Sequence, residues 1–405
     1  MMAPFGVIES VCGGCALLAT IPGTLELLLA TISPDRKAGP VGGAQTEVFR
    51  LAVVVPAHNE AALIGRCVRS VAASIAASRR ASECPVVVVA DNCTDSTAAR
   101  AAEAGARVLV RHNKSLRGKG YALRYAFDQL QAEGFDGFLV VDADSVVSLN
   151  LIGEAARYLE TGSPAIQCRY RVLNYEATLR TRLMDLSFLA FNVLRPKGRS
   201  GWGLSCGILG NGFGLRRQTL EKIPYDASSI VEDLEYHLRL VTAGERVDFI
   251  GDATVFGEIP SESGEAKVQR SRWEGGRLRM VREWVPAMVA WVIRGDWRLT
   301  EPLLDLLTFP LAYHVVLLMV AAIALPASLR PWAAISLLTV AIYVLRACLL
   351  GGHPLKTAAA LTAAPFYILW KLTTLSAVFS ASRRGANWIR SGRENESALP
   401  SVRNG

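Results

Sequence analysis

Apolar residues follow two different rhythms along this chain. Between about residues 48 and 285, short apolar runs alternate with segments whose apolar positions recur every three or four residues. Leu51–Val55 is an unbroken apolar run ended by Pro56, which predicts a buried strand. Helical spacing follows over 61–78. Pro85–Val89 predicts a second strand, the alanine-rich segment to Glu103 a helix, Ala106–Val110 a third strand and Lys119–Leu130 a further helix. Phe138–Val141 and Ala165–Val172 predict strands, and Tyr175–Leu194 a helix. Strands apolar on both faces, alternating with helices, predict an α/β fold with a mostly parallel sheet covered by helices.

The rhythm then loosens. Residues 196–214 carry Gly201, Gly203, Gly207, Gly210, Gly212 and Gly214, which suit tight turns or close backbone approach to a ligand. Residues 231–241 predict a helix opened by Glu232 and Asp233. Val247–Ile250 and Thr254–Phe256 predict two short strands, and 266–283 a basic helix. Residues 284–299 read as an amphipathic interfacial helix, because Trp284, Trp291 and Trp297 are interspersed among apolar positions. The polar tail 391–405 is expected to be disordered.

Long apolar stretches occupy both ends, over 6–32, 302–325, 332–350 and 357–380. Each is long enough to cross a hydrocarbon core of roughly 30 Å. The organisation expected is a membrane anchor at 6–32, a soluble domain at 48–283, the interfacial helix at 284–299 and a membrane region at 302–381. Glu9 and Glu26 make the anchor imperfect. Without Lys or Arg before it, the first stretch reads as an anchor and not as a cleaved signal.

Charge sharpens the topology. The net charge is +8. No basic helix with interleaved aromatics stands out, which argues against nucleic acid as a partner. Arg36 and Lys37 follow the first stretch, and Arg383, Arg384, Arg390 and Arg393 follow the last. By the positive-inside bias both flanks and the soluble domain face the cytoplasm, in an inner or plasma membrane. That requires an even number of spans after residue 300. The first stretch is the expected exception, interrupted by Asp305, Pro310 and His314, and Lys371 weakens the third. The eight cysteines are scattered, and a cytoplasmic domain should hold no structural disulfides.

The candidate chemistry lies at strand ends. His58, Asn59, Glu60, Asp91, Asp142 and Asp144 each follow a predicted strand, so they gather on one rim, where such sheets bind ligands. Asp142 and Asp144 are one residue apart, and alternate side chains of an extended segment share a face. Oxygen-only ligands suit Mg2+ or Mn2+, which would offset charge on a diphosphate. Taken alone, the pair also suits a turn. Glu232 and Asp233 suit a helix start, where the dipole favours carboxylates. They also supply a base that removes a hydroxyl proton; Asp233 is the preferred base and Glu232 the group that orients it. Lys119 suits a phosphate or a solvated loop. Gln269, Arg270, Arg272 and Trp273 offer donors and an indole plate for phosphate and sugar, or a basic face for anionic lipid. His58 and His237 lack a second histidine at ligand spacing.

Together these residues resemble glycosyltransferase family 2, from Val53 to about Trp284. The resemblance rests on Val-Val-Pro-Ala-His-Asn-Glu60, Ala90-Asp-Asn-Cys-Thr-Asp95, Lys119-Gly120, Asp142-Ala-Asp144, Val231-Glu-Asp233 and Gln269-Arg-Ser-Arg-Trp273. It implies a GT-A fold, a nucleotide-sugar-binding α/β sandwich. Pro56, Asn59 and Glu60 would join the nucleotide site, and Asp91 would contact the uracil or ribose side. Asp142 and Asp144 would hold diphosphate and metal, and Asp233 would be the base of inverting transfer. Gln269, Arg270, Arg272 and Trp273 would bind the diphosphate and the acceptor end. Leu209-Gly210-Asn211-Gly212 takes the place of the acceptor turn. It departs from the Cys-Gly-Ser or Cys-Gly-Thr form of polymer synthases.

The chain looks most similar to the membrane branch with cellulose, hyaluronan and poly-N-acetylglucosamine synthases. That implies transfer from a nucleotide sugar, UDP-linked in the first instance, to a growing β-linked polysaccharide. The alternative is single-sugar transfer to a membrane lipid, as in ceramide glucosyltransferases. A polymer channel would need a helper membrane subunit or an oligomer, because few spans are present.

Overall fold

Four short segments build the parallel half of the sheet: β1 (Leu51–Ala57), β2 (Val86–Asp91), β3 (Arg107–Arg111) and β4 (Gly137–Val140). The other strands are β5 (Val146–Val147), β6 (Ala165–Val172), β7 (Phe213–Arg216) and β8 (Val247–Gly257). They complete one sheet of order β3-β2-β1-β4-β7-β6-β8-β5. β7 lies antiparallel between β4 and β6, β8 runs parallel to β6, and β5 closes the edge antiparallel to β8. The computed structural model describes residues 4–34, 49–78, 83–227, 229–260 and 263–383. Arg36, Lys37, Arg384, Arg390, Arg393 and the tail 391–405 lie outside the described residues.

Side-chain alternation along the strands produces two cores. Leu51, Val53 and Val55 pack into one layer with Val88, Leu139 and Ile166, while Ala52 and Val54 join Val87, Phe127 and Phe213 on the other. β1 does not end at Pro56, as its sequence suggests, but continues to Ala57. Pro56 pairs with Val89 of β2, while the pairing with β4 ends at Val54. The missing N–H therefore falls where one neighbour has already stopped.

Three sequence expectations need correction. The glycine-rich segment begins as a helix, Arg195–Gly201, which continues the π-helical Leu189–Leu194. Here glycine serves helix packing: a Cβ on Gly198 would stand 2.5 Å from the Ala30 Cα, and one on Gly201 2.1 Å from the Ser33 Oγ. The two short strands at 247–256 are one strand, β8, with a register irregularity opposite Cys168 and Arg169. The basic helix and the interfacial helix are a single helix, Ser263–Ile293, which runs through Pro286. Trp284 packs against the buried cluster that holds Met280, Met288 and Leu303, and Trp297 falls in a separate 3-10 turn with 71% of its surface exposed.

The N-terminal helix, Pro4–Thr31, packs against Leu311–Ala324, Arg330–Leu349 and Arg195–Gly201. The described part has two helices long and apolar enough to cross a membrane, Ile8–Thr31 and Arg330–Leu349. Two bent pairs raise the number to four if each counts as one span: Trp297–Leu307 with Leu311–Ala324 at 86°, and Pro354–Leu372 with Leu375–Ala381 at 54°. The first break falls beside Pro310, where the sequence interrupts its own apolar stretch. Lys371, anomalous in the third stretch, is ion-paired with Glu274 at 2.9 Å.

Candidate active site

The parallel strands deliver their carboxyl ends to one rim. Asp91 closes β2, and its carboxylate accepts from the Arg111 guanidinium at 2.6 Å; Arg111 is its cross-strand neighbour on β3. Both are buried. Asn59 and Asn92 take left-handed backbone, with φ of 56° and 50°. Asparagine tolerates that conformation better than other chiral residues. The Asn59 side chain accepts from the Thr94 N–H at 2.7 Å, which ties the loop after β1 to the loop after β2. His58 does the same through Nδ1, 2.7 Å from the Asp91 carbonyl.

Past β4, Asp142 pairs with the Lys119 ammonium at 2.5 Å, and that ammonium also donates to the Gly210 carbonyl. Asp144 is buried, and its carboxylate accepts from the Ser145 hydroxyl at 3.2 Å. Asn211 supports both from behind. Its Oδ1 accepts from the Asp142 N–H at 3.0 Å, and its Nδ2 donates to Ser145 at 2.8 Å. Gln167 on β6 holds the same turn through the Asn211 carbonyl and the Leu209 N–H.

Glu232 and Asp233 open the helix Glu232–Thr242 beside this turn. A Cβ on Gly210 would stand 3.0 Å from an Asp233 carboxylate oxygen. Burial raises Glu232 to about 8, and the charge of Asp233 adds to the rise against the pull of Lys119. Burial likewise raises Asp233 above the ordinary carboxylate range. Burial alone would lower Lys119, but Asp142, Glu232 and Asp233 outweigh it and hold the ammonium charged. A carboxylate with a raised pKa is a better proton acceptor near neutral pH.

One cavity of about 1730 Å3 joins these groups. Pro56, Asn59, Glu60, Asp91, Lys119, Asp142, Asp144, Gly210, Glu232 and Asp233 border it, as do Gln269, Arg270, Arg272 and Trp273 from the helix Ser263–Ile293. Gln269, Trp273 and Arg277 fall at four-residue intervals, hence on one face. Asn211 and Gly212 do not border the cavity. Asn211 is a support, and Gly212 packs under Val255. Its left-handed backbone, φ 70°, and a Cβ that would stand 2.8 Å from the Val255 side chain both favour glycine there.

The cavity does not stop at the rim. It continues past His237, one helical turn beyond Asp233, to a group of charged side chains absent from the sequence-based site: Glu26, Arg195, Arg199, Arg277 and Asp305. Burial and the three arginines push His237 down to about 3, so its ring is neutral. It lies 2.9 Å from the Ser205 hydroxyl. Glu26 and Asp305 were visible in the sequence as charges interrupting apolar stretches. Nothing in the sequence pairs them with arginines some 170 and 110 residues away in a glycine-rich segment.

Comparison with known proteins bears on the family and the fold. Residues 49–276 match the family model described as glycosyltransferase like family 2. "Probable glycosyltransferase YdaM" of Bacillus subtilis (strain 168) is 26% identical over 248 residues, which is 58% of this chain and 57% of that protein. Protein RfbJ of Shigella flexneri is 32% identical over 111 residues, covering 27% of this chain and 77% of that protein. The solved mannosyltransferase PcManGT from Pyrobaculum calidifontis, in complex with GDP-Man and Mn2+, aligns with a TM-score of 0.52 at 20% identity. That alignment covers 93% of this chain and 97% of PcManGT, so the likeness in fold includes the flanking helices.

Proposed function

The chain belongs to glycosyltransferase-like family 2, and on that premise we propose that it moves one sugar from a nucleotide sugar to the hydroxyl of a membrane lipid. The observation that carries the reading is the single cavity, which runs from Asp91 and Asp142 at the sheet rim to apolar walls on the flanking helices. A soluble acceptor would not need such walls, whereas a lipid brings an apolar body and a polar end. The nucleotide is taken as UDP-linked from the sequence resemblance.

In the proposed reaction Asp233 takes the acceptor's proton as the hydroxyl oxygen bonds to the anomeric carbon. The bond from that carbon to the diphosphate breaks, and its electron pair leaves on the nucleoside diphosphate. Attack opposite the leaving group inverts the anomeric centre. Arg270 and Arg272 would grip the diphosphate, and Asp91 the nucleoside.

A divalent cation fits the donor set. Among the described residues no three His, Cys, Asp or Glu side chains gather as a metal site. A cation carried in by a diphosphate does not need them, since one or two carboxylates with substrate oxygens and water suffice. Asp142 and Asp144 would hold it, and the Lys119 ammonium on Asp142 shows that this position accepts positive charge. The cation would offset charge growing on the departing diphosphate. The Mn2+ bound by PcManGT supports this reading.

A growing polysaccharide is the second reading, carried by the family resemblance. With at most four spans among the described residues, a polymer channel would call for a helper subunit or an oligomer. Either reading places the soluble domain at the cytoplasmic face, where a cysteine introduced in the tail should resist an impermeant thiol reagent on intact cells. Labelling from outside would contradict that topology.

The test of the reaction is incubation of the membrane-bound chain with labelled UDP- and GDP-linked sugars, with and without chelator. The reading expects a chelator-sensitive product whose anomeric configuration is inverted. Retained configuration, or full transfer in excess chelator, would contradict it.

A further inference from the structure

The deep branch of the cavity holds an arrangement that transfer to a hydroxyl does not by itself require. Arg199, which is 2% exposed, pairs with Glu301 at 2.5 Å and Asp305 at 3.2 Å. Arg277 stands 3.6 Å from Asp305, and Arg195 pairs with the same carboxylate. Glu26, on the N-terminal helix, lies 3.7 Å from Arg195 and 3.8 Å from Arg199. Three arginines thus face three carboxylates, and each of the three arginines is already paired.

Glu26 makes the longest contacts in this group, its two ion pairs with Arg195 and Arg199. It is 1% exposed, it borders the cavity, and neither carboxylate oxygen has a hydrogen-bond partner. An ionised carboxylate accepts and does not donate. A ligand group that bonds to Glu26 would therefore bring an O–H or N–H. Leaving such a buried acceptor unmatched costs far more than an average hydrogen bond gains.

Resting on the lipid-acceptor reading, we propose that this branch selects an uncharged lipid whose headgroup donates hydrogen bonds to Glu26, and that it excludes lipid phosphates. A lipid phosphate offers acceptors to an acceptor and negative charge to a cluster with no spare cation. The walls suit the rest of such a ligand: Leu27, Val315, Val340, Val344 and Leu361 are apolar and come from four separate elements around the branch. His314 closes one side. It reaches Thr24 at 3.4 Å, across Gly23, where a Cβ would stand 2.7 Å from the imidazole. His237, neutral, links the branch to Asp233 without adding charge.

The experiment uses the full chain reconstituted in nanodiscs with the nucleotide sugar that gives transfer in the panel described above. Matched acceptors are dioleoylglycerol against dioleoyl phosphatidate, and a polyprenol against its monophosphate. The hydroxyl lipid should be preferred by on the order of 10²-fold in kcat/KM, the scale on which a buried mismatch discriminates. Glu26→Gln removes one negative charge and should cut that preference by about tenfold. It should do so mainly through the acceptor KM, with the nucleotide-sugar KM unmoved. Preference for the phosphate lipid would overturn the inference while leaving lipid transfer intact. Unchanged preference in Glu26→Gln would overturn the role of Glu26. Transfer to neither member of any pair, with label in a polymer instead, would overturn the lipid reading itself.

Discussion

The rim and the deep branch of the cavity are both lined with paired charges, yet they are assembled in opposite ways. The rim draws Asp91, Asp142 and Asp144 from the ends of β2 and β4, the two strands that flank β1, and the register of one sheet sets their spacing. The branch draws Glu26, Arg195, Arg199, Arg277 and Asp305 from four helices that share no sheet. At the rim, Lys119 faces Asp142, Glu232 and Asp233 on the wall of a cavity that a ligand can enter. In the branch three arginines face three carboxylates, and the contacts of Glu26 are the longest. The difference teaches that the rim keeps carboxylates available to a cation and the diphosphate it would carry, whereas in the branch each arginine already faces a carboxylate. That is the division expected between a donor diphosphate and an uncharged acceptor.

The largest expected effect falls on the rim alone. Asp233→Asn keeps the shape of the helix start but removes the proton acceptor, so the transfer rate should fall by on the order of 10²-fold or more. Nucleotide binding, followed by calorimetry, should stay near its original value. Near-normal turnover would break the comparison at its catalytic end.

A change of intermediate size addresses the branch. Gly198 lets the helix Arg195–Gly201 touch the N-terminal helix at Ala30. Gly198→Leu should destabilise the folded chain by about 1–3 kcal/mol through overpacking, seen as a lower Tm in detergent. The accompanying shift of Arg195 and Arg199 away from Glu26 should weaken acceptor use more than nucleotide binding. Equal loss of both would show that rim and branch are not separable.

The mildest expected effect is one of pH. Glu232 carries a folded-state pKa of about 8 against an ordinary 4.5. Between those values the folded chain keeps a proton that the unfolded chain has released. Stability should therefore fall as pH rises through that window. Thermal unfolding followed from about pH 5 to pH 9 should show the slope, and Glu232→Gln should flatten it. A Tm that rises with pH in the parent and is unaffected by the substitution would contradict the burial of this pair.

The rim was legible in the sequence because each of its parts is local. A run such as Val86–Val89, buried on both faces, announces a central strand, and the acidic residue after it can only be at the carboxyl end. Strand β6 has the bounds expected, Ala165–Val172. β7 was not legible, since Phe213-Gly-Leu-Arg216 sits in a run of glycines and gains strand form only by slotting between β4 and β6. The helix at Arg195–Gly201 was hidden for the same reason. Its glycines read as turns until Ala30 and Ser33 are placed against them. The branch charges were visible singly as faults in apolar stretches, but their pairing depends on tertiary packing that no periodicity encodes. Pro286 was equally uninformative, because the helix Ser263–Ile293 passes through it.

The account's central claim is that rim and branch form one site, with a lipid hydroxyl in the branch attacking a sugar held at the rim. The most direct measurement is where the label goes when the reconstituted chain is given a labelled nucleotide sugar. Label that partitions into organic solvent, moves as a single-sugar glycolipid on a thin-layer plate and is absent from the Asp233→Asn reaction is the result predicted. Label recovered as ethanol-insoluble polymer, with none in the organic phase, would contradict it.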